Sequence, residues 1–316
     1  MAGRHTILVC GVLCTAVACG RPADEAPPEQ NEVPAPSVTV EESEPETVVD
    51  APEVEEIEPH TMHPALGRNQ AFMIDFTRQY IGEGWYIANH DVPDSQWKND
   101  FRASAVTFTP DGMNITIDKK PNPEPGQWPY NSGEVSPYER FHYGYYEVEM
   151  KVAKGSGLVS AMFTYTGQFF GTPHDEVDIE FVGTHTNYVE FNVFRNGRSY
   201  GSKRHRLPFD ASEDFHIYAF DWQPEYVHWY VNGEKVHAHE KPSQIPRLPS
   251  KIMMNMWAGN IEEWHGPATF EPGTKAVFRC LSFSPDKTRT HTCSEGIKTT
   301  EPQTTADESL RGRIDP

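Results

Sequence analysis

The sequence predicts an all-β sandwich, on three observations. Between about Leu66 and Phe283, short runs rich in β-formers alternate with Pro, Gly, Asn and Asp at close intervals. No segment repeats its apolar residues at a period of 3.6, and no internal repeat is present. Asn232-Gly233, a dipeptide suited to a two-residue hairpin turn, joins two of the runs. Roughly 215 residues built this way suit two packed layers of strands.

In chain order, Arg4 and the apolar run Thr6–Ala18 read as a secretion signal. The run is about 13 residues long, short of the ~20 that a membrane span needs. Ala16-Val17-Ala18-Cys19 resembles a bacterial lipobox. Residues 1–18 are therefore expected to be removed and Cys19 lipidated, tethering the protein to the cell envelope. Gly20 after Cys19 favours the outer membrane.

Residues 19–65 follow as an acidic, Pro-rich linker. Arg21 to His60 holds 13 Asp or Glu, one basic residue and eight prolines, and carries −12 of the formal charge of −19. Such a stretch buries too little apolar surface to offset its ordering entropy, so a disordered spacer is expected. The rest of the chain is only mildly acidic and shows no basic patch, which disfavours nucleic acid as a partner. A monomer is expected.

The strands of domain 66–285 come next. His142 to Val152 places Tyr146, Val148, Met150 and Val152 on one face. Leu158–Tyr165, Tyr188–Phe194, Phe215–Trp222, Val227–Val231 and Ala276–Phe283 read similarly. Pro285 has no N–H to give a ladder and should end the last strand. The tail 286–316 is polar and expected to be loosely ordered. Cys10 and Cys14 fall in the signal and Cys19 is the expected anchor, leaving Cys280 and Cys293. A disulfide and two independent thiols are the alternatives, and an oxidising compartment favours the bridge. Neither cysteine has metal-ligand spacing.

The chemistry points to Glu176-Val177-Asp178-Ile179-Glu180. On a strand the three carboxylates share one face, while Val177, Ile179 and Phe181 share the other. Like charges side by side destabilise a strand unless one takes a proton. Two carboxyl groups with separated pKa values are what glycosidic-bond cleavage needs, one as proton donor and one as nucleophile. A Ca²⁺ site and a merely solvated acidic face are the other readings of the pattern alone. Flat spacing would hold the Cα atoms of Glu176 and Glu180 about 13 Å apart. A curved sheet with inward-leaning side chains closes much of that gap.

Several motifs in order extend the reading. Gly157-Leu158-Val159-Ser160-Ala161-Met162-Phe163-Thr164-Tyr165-Thr166-Gly167, then His174-Asp175-Glu176-Val177-Asp178-Ile179-Glu180-Phe181, resemble glycoside hydrolase family 16. Phe191-Asn192, Tyr218-Ala219-Phe220-Asp221-Trp222-Gln223-Pro224, Trp229-Tyr230-Val231-Asn232-Gly233 and Met253-Met254-Asn255-Met256-Trp257 continue the match. Within the family the bacterial lichenase branch is most similar. The resemblance implies a jelly-roll sandwich with an open cleft on its concave face, and a retaining endo-β-1,3-1,4-glucanase. It casts Glu176 as nucleophile, Glu180 as general acid/base and Asp178 as the assisting carboxylate. Glu134, Asn192, Asn255, Trp257 and Trp264 match glucan-contacting positions.

Departures from the pattern bear on substrate. His174 stands where lichenases carry a Trp, and either contacts a sugar hydroxyl or bonds the nucleophile. Ser136 replaces a sugar-binding Arg, Phe194 a Tyr, and the Tyr-Ser-Asn-Gly loop is absent around Asn89 to Asp94. Another β-glucan, a succinoglycan-type exopolysaccharide or transfer to a sugar acceptor are the alternatives within the family. Arg279 replaces an Asp of the family's calcium site, so no metal or cofactor is expected.

Overall fold

The computed structural model describes residues 70–93, 97–259, 261–285 and 289–296. The signal, Cys19 and all of the acidic linker lie outside these residues. Two antiparallel sheets face each other, and half the expected strands extend a residue or two beyond the sequence reading. One sheet runs Arg198–Ser199, Tyr188–Arg195, Asp175–Val182, Leu158–Thr166, Lys251–Ala258, Glu134–Pro137 and Trp85–Ile87 in spatial order, with Lys203–Arg206 also pairing Tyr188–Arg195. The second is built around Glu234–His239, Val227–Val231, His216–Trp222, Gly144–Lys151, Thr274–Ser284 and Gly112–Lys119. The only parallel pair among the described residues joins Asn99–Phe101 to Tyr130–Ser132.

Alternation fills the space between the sheets. Val177, Ile179 and Phe181 are fully buried, as are Tyr146, Val148 and Met150 from the facing sheet. Each such side chain contributes about 1.5–3 kcal/mol by leaving water. Trp229 crosses this core: its indole N–H donates to the Asp178 carbonyl at 3.0 Å. The outer sheet thus touches the backbone of the carboxylate strand directly.

The expectation of a loosely ordered tail from Asp286 needs correction for Arg289–Gly296. Cys280 and Cys293 are disulfide-bonded with Cα atoms 5.8 Å apart. Ser294 donates its N–H (3.0 Å) and hydroxyl (3.1 Å) to the buried Glu147 carboxylate. The Arg289 guanidinium lies over the rings of Tyr145 (4.3 Å) and Tyr230 (4.6 Å). Polar composition misled because these contacts are to side chains far away in sequence. Arg279 sits at a register shift in the last strand, between Phe278 and Cys280. Its guanidinium stacks 3.5 Å over Phe215.

Candidate active site

The cross-strand register lays the concave face out as rows. Phe194, Glu176, Tyr165 and Lys251 form the first; Asn192, Asp178, Phe163 and Met253 the second; Glu190, Glu180, Ala161, Asn255 and Glu134 the third. The three carboxylates therefore share one face, as the alternation required. Ala161 places only a methyl group between Glu180 and Asn255, so the floor is low beside Glu180.

The strand that carries them is held at its start by Asp175, on the opposite face. The Asp175 carboxylate accepts N–H groups from Asn196 (3.0 Å), Arg247 (2.7 Å) and Leu248 (3.1 Å). Asn196 and Gly197 have φ of 50° and 76°, the left-handed pair that a tight hairpin turn needs. The turn is further tied by Gly197 N–H to the His174 carbonyl at 2.8 Å. Sequence reasoning passed over Asp175, since nothing in the local pattern marks it as a collector of distant amides.

His174 is placed against the acids. Its Nε2 bonds Glu176 Oε2, and its ring stacks on Phe194 at 4.8 Å. Burial lowers the His174 pKa, with the Asp175 charge opposing. A neutral imidazole in that state donates one N–H to Glu176. The ring is thereby tied to Glu176 while its side chain stays 30% exposed.

The three acids are all pushed upward, burial first in each, with different neighbours adding or opposing. Burial raises Glu176 to about 8, a hydrogen bond with Asp178 opposes this, and the Glu180 charge adds to it. Asp178 is raised well above the carboxylate range by burial, then by the charge and the polar proximity of Glu176. Neither Asp178 oxygen meets an N–H or O–H donor among the described residues. Glu180 is raised by burial, then by the charges of Asp178 and Glu190. Glu176 alone has partners that favour its anion.

Around this trio, Glu134 accepts from Asn255 Nδ2 at 3.0 Å. Burial pushes Glu134 up to about 7, against that bond and the Lys251 charge. Asn192 Oδ1 accepts from Ser199 Oγ at 2.9 Å. Glu190, beside Glu180, accepts two bonds from Arg204 (2.6 and 3.0 Å) and one from Trp264 Nε1 (3.1 Å). Glu190, Arg204, Tyr165 and Lys251 were missed because only cross-strand register brings them to the face.

Trp257, expected among the glucan-contacting positions, is largely covered. It is 3% exposed, enclosed by Trp97 (6.0 Å), Trp264 (5.7 Å) and His265 (6.1 Å). It lies on the cleft side of its strand, but other aromatics cover it. Trp264 is only partly buried. Among the described residues no group of three or more His, Cys, Asp or Glu is arranged to hold a metal ion.

Residues 93–274 match the model of glycosyl hydrolases family 16. This chain belongs to that family. It is 42% identical over 200 residues to a beta-glucanase of Acetivibrio thermocellus, covering 63% of this chain and 57% of the relative. The chain thus spans little more than half of that relative's length. Identity to a Bacillus subtilis beta-glucanase is 48% over 184 residues, covering 58% of this chain and 73% of the relative. Among solved structures, a prokaryotic beta-1,3-1,4-glucanase (lichenase) from a mouse hindgut metagenome superposes with a TM-score of 0.64 at 37% identity, covering 68% of this chain and 99% of its own. The family-16 fold and the two-sheet sandwich agree with the expectation from sequence.

Proposed function

We propose that this protein is a retaining endo-β-glucanase that hydrolyses mixed-linkage β-1,3-1,4-glucan. The observation that carries the reading is the asymmetry among the three acids. Glu176 is bonded by His174 and its rise is opposed by Asp178, while Glu180 is raised by burial and by its neighbours with nothing opposing. A nucleophile and a proton donor are thereby separated on one strand face. Glu180 protonates the glycosidic oxygen as Glu176 attacks the anomeric carbon, forming a covalent glycosyl-enzyme and releasing the leaving sugar. Glu180, now ionised, takes a proton from water, which displaces Glu176 with configuration retained. Asp178, protonated while Glu176 is an anion, donates to it and relaxes as the charge is consumed.

The substrate choice is supported by the names and identities of the beta-glucanase relatives. The tie of His174 to Glu176, where lichenases carry a Trp, favours testing other β-glucans alongside. A digest of lichenan, mixed-linkage glucan, laminarin, xyloglucan and succinoglycan reads this out. Strong activity on laminarin alone would overturn the mixed-linkage assignment. Proton NMR in the first minutes should show the β-anomer; early α-anomer would mean an inverting water and no nucleophile role for Glu176. We also propose that Cys19 carries a lipid anchor. Cys19→Ala should then leave activity intact and move the protein out of the membrane fraction; retention there under high salt would place the anchor elsewhere.

A further inference from the structure

Three large apolar side chains stand out as exposed among the described residues: Phe169 at 84%, Tyr138 at 60% and Tyr80 at 45%. Single exposed apolar residues are ordinary on protein surfaces. Two of these three, however, gather at one end of the cleft. Lys251, in the row of Glu176, has its Nζ 5.7 Å from the Tyr138 ring and 5.6 Å from the Phe170 ring. Phe170 meets Phe169 edge-on at 5.1 Å and Tyr165 at 6.0 Å. Tyr165 in turn lies 5.2 Å from His174, the side chain that holds Glu176. A continuous line of rings runs from the carboxylate trio to the exposed Phe169.

The turn presenting Phe169 is closed by its own hydrogen bonds. Phe170 N–H reaches the Gly167 carbonyl at 2.8 Å and Gly171 N–H the Gln168 carbonyl at 2.9 Å. The hydroxyls of Thr166 and Thr172 meet at 2.7 Å across its base. Arg140 and Lys251 over Phe170 add cation–π contacts that stiffen it from behind. An exposed ring on a rigid mount is a surface prepared for something flat and partly apolar.

We propose that Phe169 and Tyr138 form an additional sugar-binding subsite, which receives a pyranose ring of the glucan chain past the Glu176 end of the cleft. This rests on the glycosidase reading above. The C–H face of a pyranose stacks on an aromatic ring while its hydroxyls stay in water, so an exposed platform loses little by waiting empty. The subsite gives the enzyme a preference for long chains, and supplies stacking area in a cleft where His174 is otherwise engaged and Trp257 is covered.

The test is a ladder of β-1,3-1,4-gluco-oligosaccharides, from short to long, hydrolysed by the full-length protein and its Phe169→Ala, Tyr138→Ala and Tyr80→Ala variants. Phe169→Ala and Tyr138→Ala are each expected to lower kcat/KM on long chains about three- to tenfold, with the loss shrinking as the chain shortens. Tyr80→Ala should match wild type at every length. Losses that are equal at all lengths, or no loss at all, would overturn the subsite. So would a sedimentation change in Phe169→Ala with an unaltered substrate profile, since the patch would then serve contact between copies. Wild type inactive on every β-glucan would instead remove the glycosidase reading, and the subsite with it.

Discussion

Asp210, in the turn after strand Lys203–Arg206, accepts bonds from Lys154 (2.8 Å), Thr186 (2.5 Å) and Ser212 (2.6 Å). Asp178, in the cleft, meets no N–H or O–H donor among the described residues and faces the Glu176 carboxylate instead. Burial works upward on both, yet the donors bring Asp210 far below the usual carboxylate range while Asp178 ends far above it. In its hydrogen bonding Asp175 resembles Asp210, its oxygens occupied by three backbone amides. Acids that hold the fold are saturated with donors. Asp178, at the centre of the cleft acids, has none among the described residues, and that shortage is what keeps its proton in place.

The sharpest way to break this contrast is to remove the cleft acids. Glu176→Ala should cut turnover by several orders of magnitude, with the melting temperature unchanged or raised because a carboxylate that is costly to bury is removed. Glu180→Ala should be comparably slow on unactivated glucan and partly spared on glycosides with an activated aryl leaving group, which depart without a proton. A Glu176→Ala protein that unfolds instead would place this carboxylate among the structural ones.

Asp175→Ala tests the other side of the comparison. Three amides from two segments lose their acceptor, each left partly buried, at a cost of about 3 kcal/mol or more. Chemical denaturation should show this as a lower midpoint. A cost under about 0.5 kcal/mol, within the ordinary range for surface changes, would mean water substitutes for the carboxylate.

The C-terminal clamp is expected to matter by a similar amount. Opening the Cys280–Cys293 loop should cost about 3 kcal/mol in the chain-entropy model. Cys293→Ser in oxidised protein is the comparison to run, with thiol titration of the wild type alongside. Two titratable thiols in the folded, unreduced protein would remove the clamp from the account.

Glu134 gives the smallest effect and a signed one. Its folded-state pKa of about 7 lies above the ordinary 4.5, so the native state binds the proton more tightly. Stability from this group is therefore full below about pH 4.5 and declines as pH rises toward 7, by at most roughly 3 kcal/mol in total. Glu134→Gln keeps an oxygen for Asn255 and removes the titration. Its unfolding free energy relative to wild type should improve between pH 4 and pH 8. A difference that stays flat with pH would show that Glu134 is ionised at little cost.

The strand face of Glu176, Asp178 and Glu180 was legible from alternation alone, as were the core positions Val177, Ile179 and Phe181. These depend on a backbone period that adjacent residues reveal. What neighbours sit across the ladder does not follow from period, so Glu190 beside Glu180 and Lys251 beside Tyr165 were invisible. Trp257 illustrates the same limit from the other direction. Its strand and face were readable, but the burial that closes it comes from Trp97 and Trp264, remote in the chain. Arg289–Gly296 read as loosely ordered apart from Cys293 because its other anchors, Glu147 and Tyr145, belong to a strand some 140 residues earlier.

The Trp229 indole that reaches the Asp178 carbonyl has a mechanical consequence. Sheets packed through hydrocarbon alone resist separation strongly and sliding weakly, since one apolar contact substitutes for the next. A directional N–H···O bond across the interior acts as a dowel. It fixes the glide position of one sheet over the other at the residue whose side chain lies in the cleft. Loosening of the outer sheet near Trp229 should therefore be felt as misalignment among the acids before the molecule as a whole comes apart.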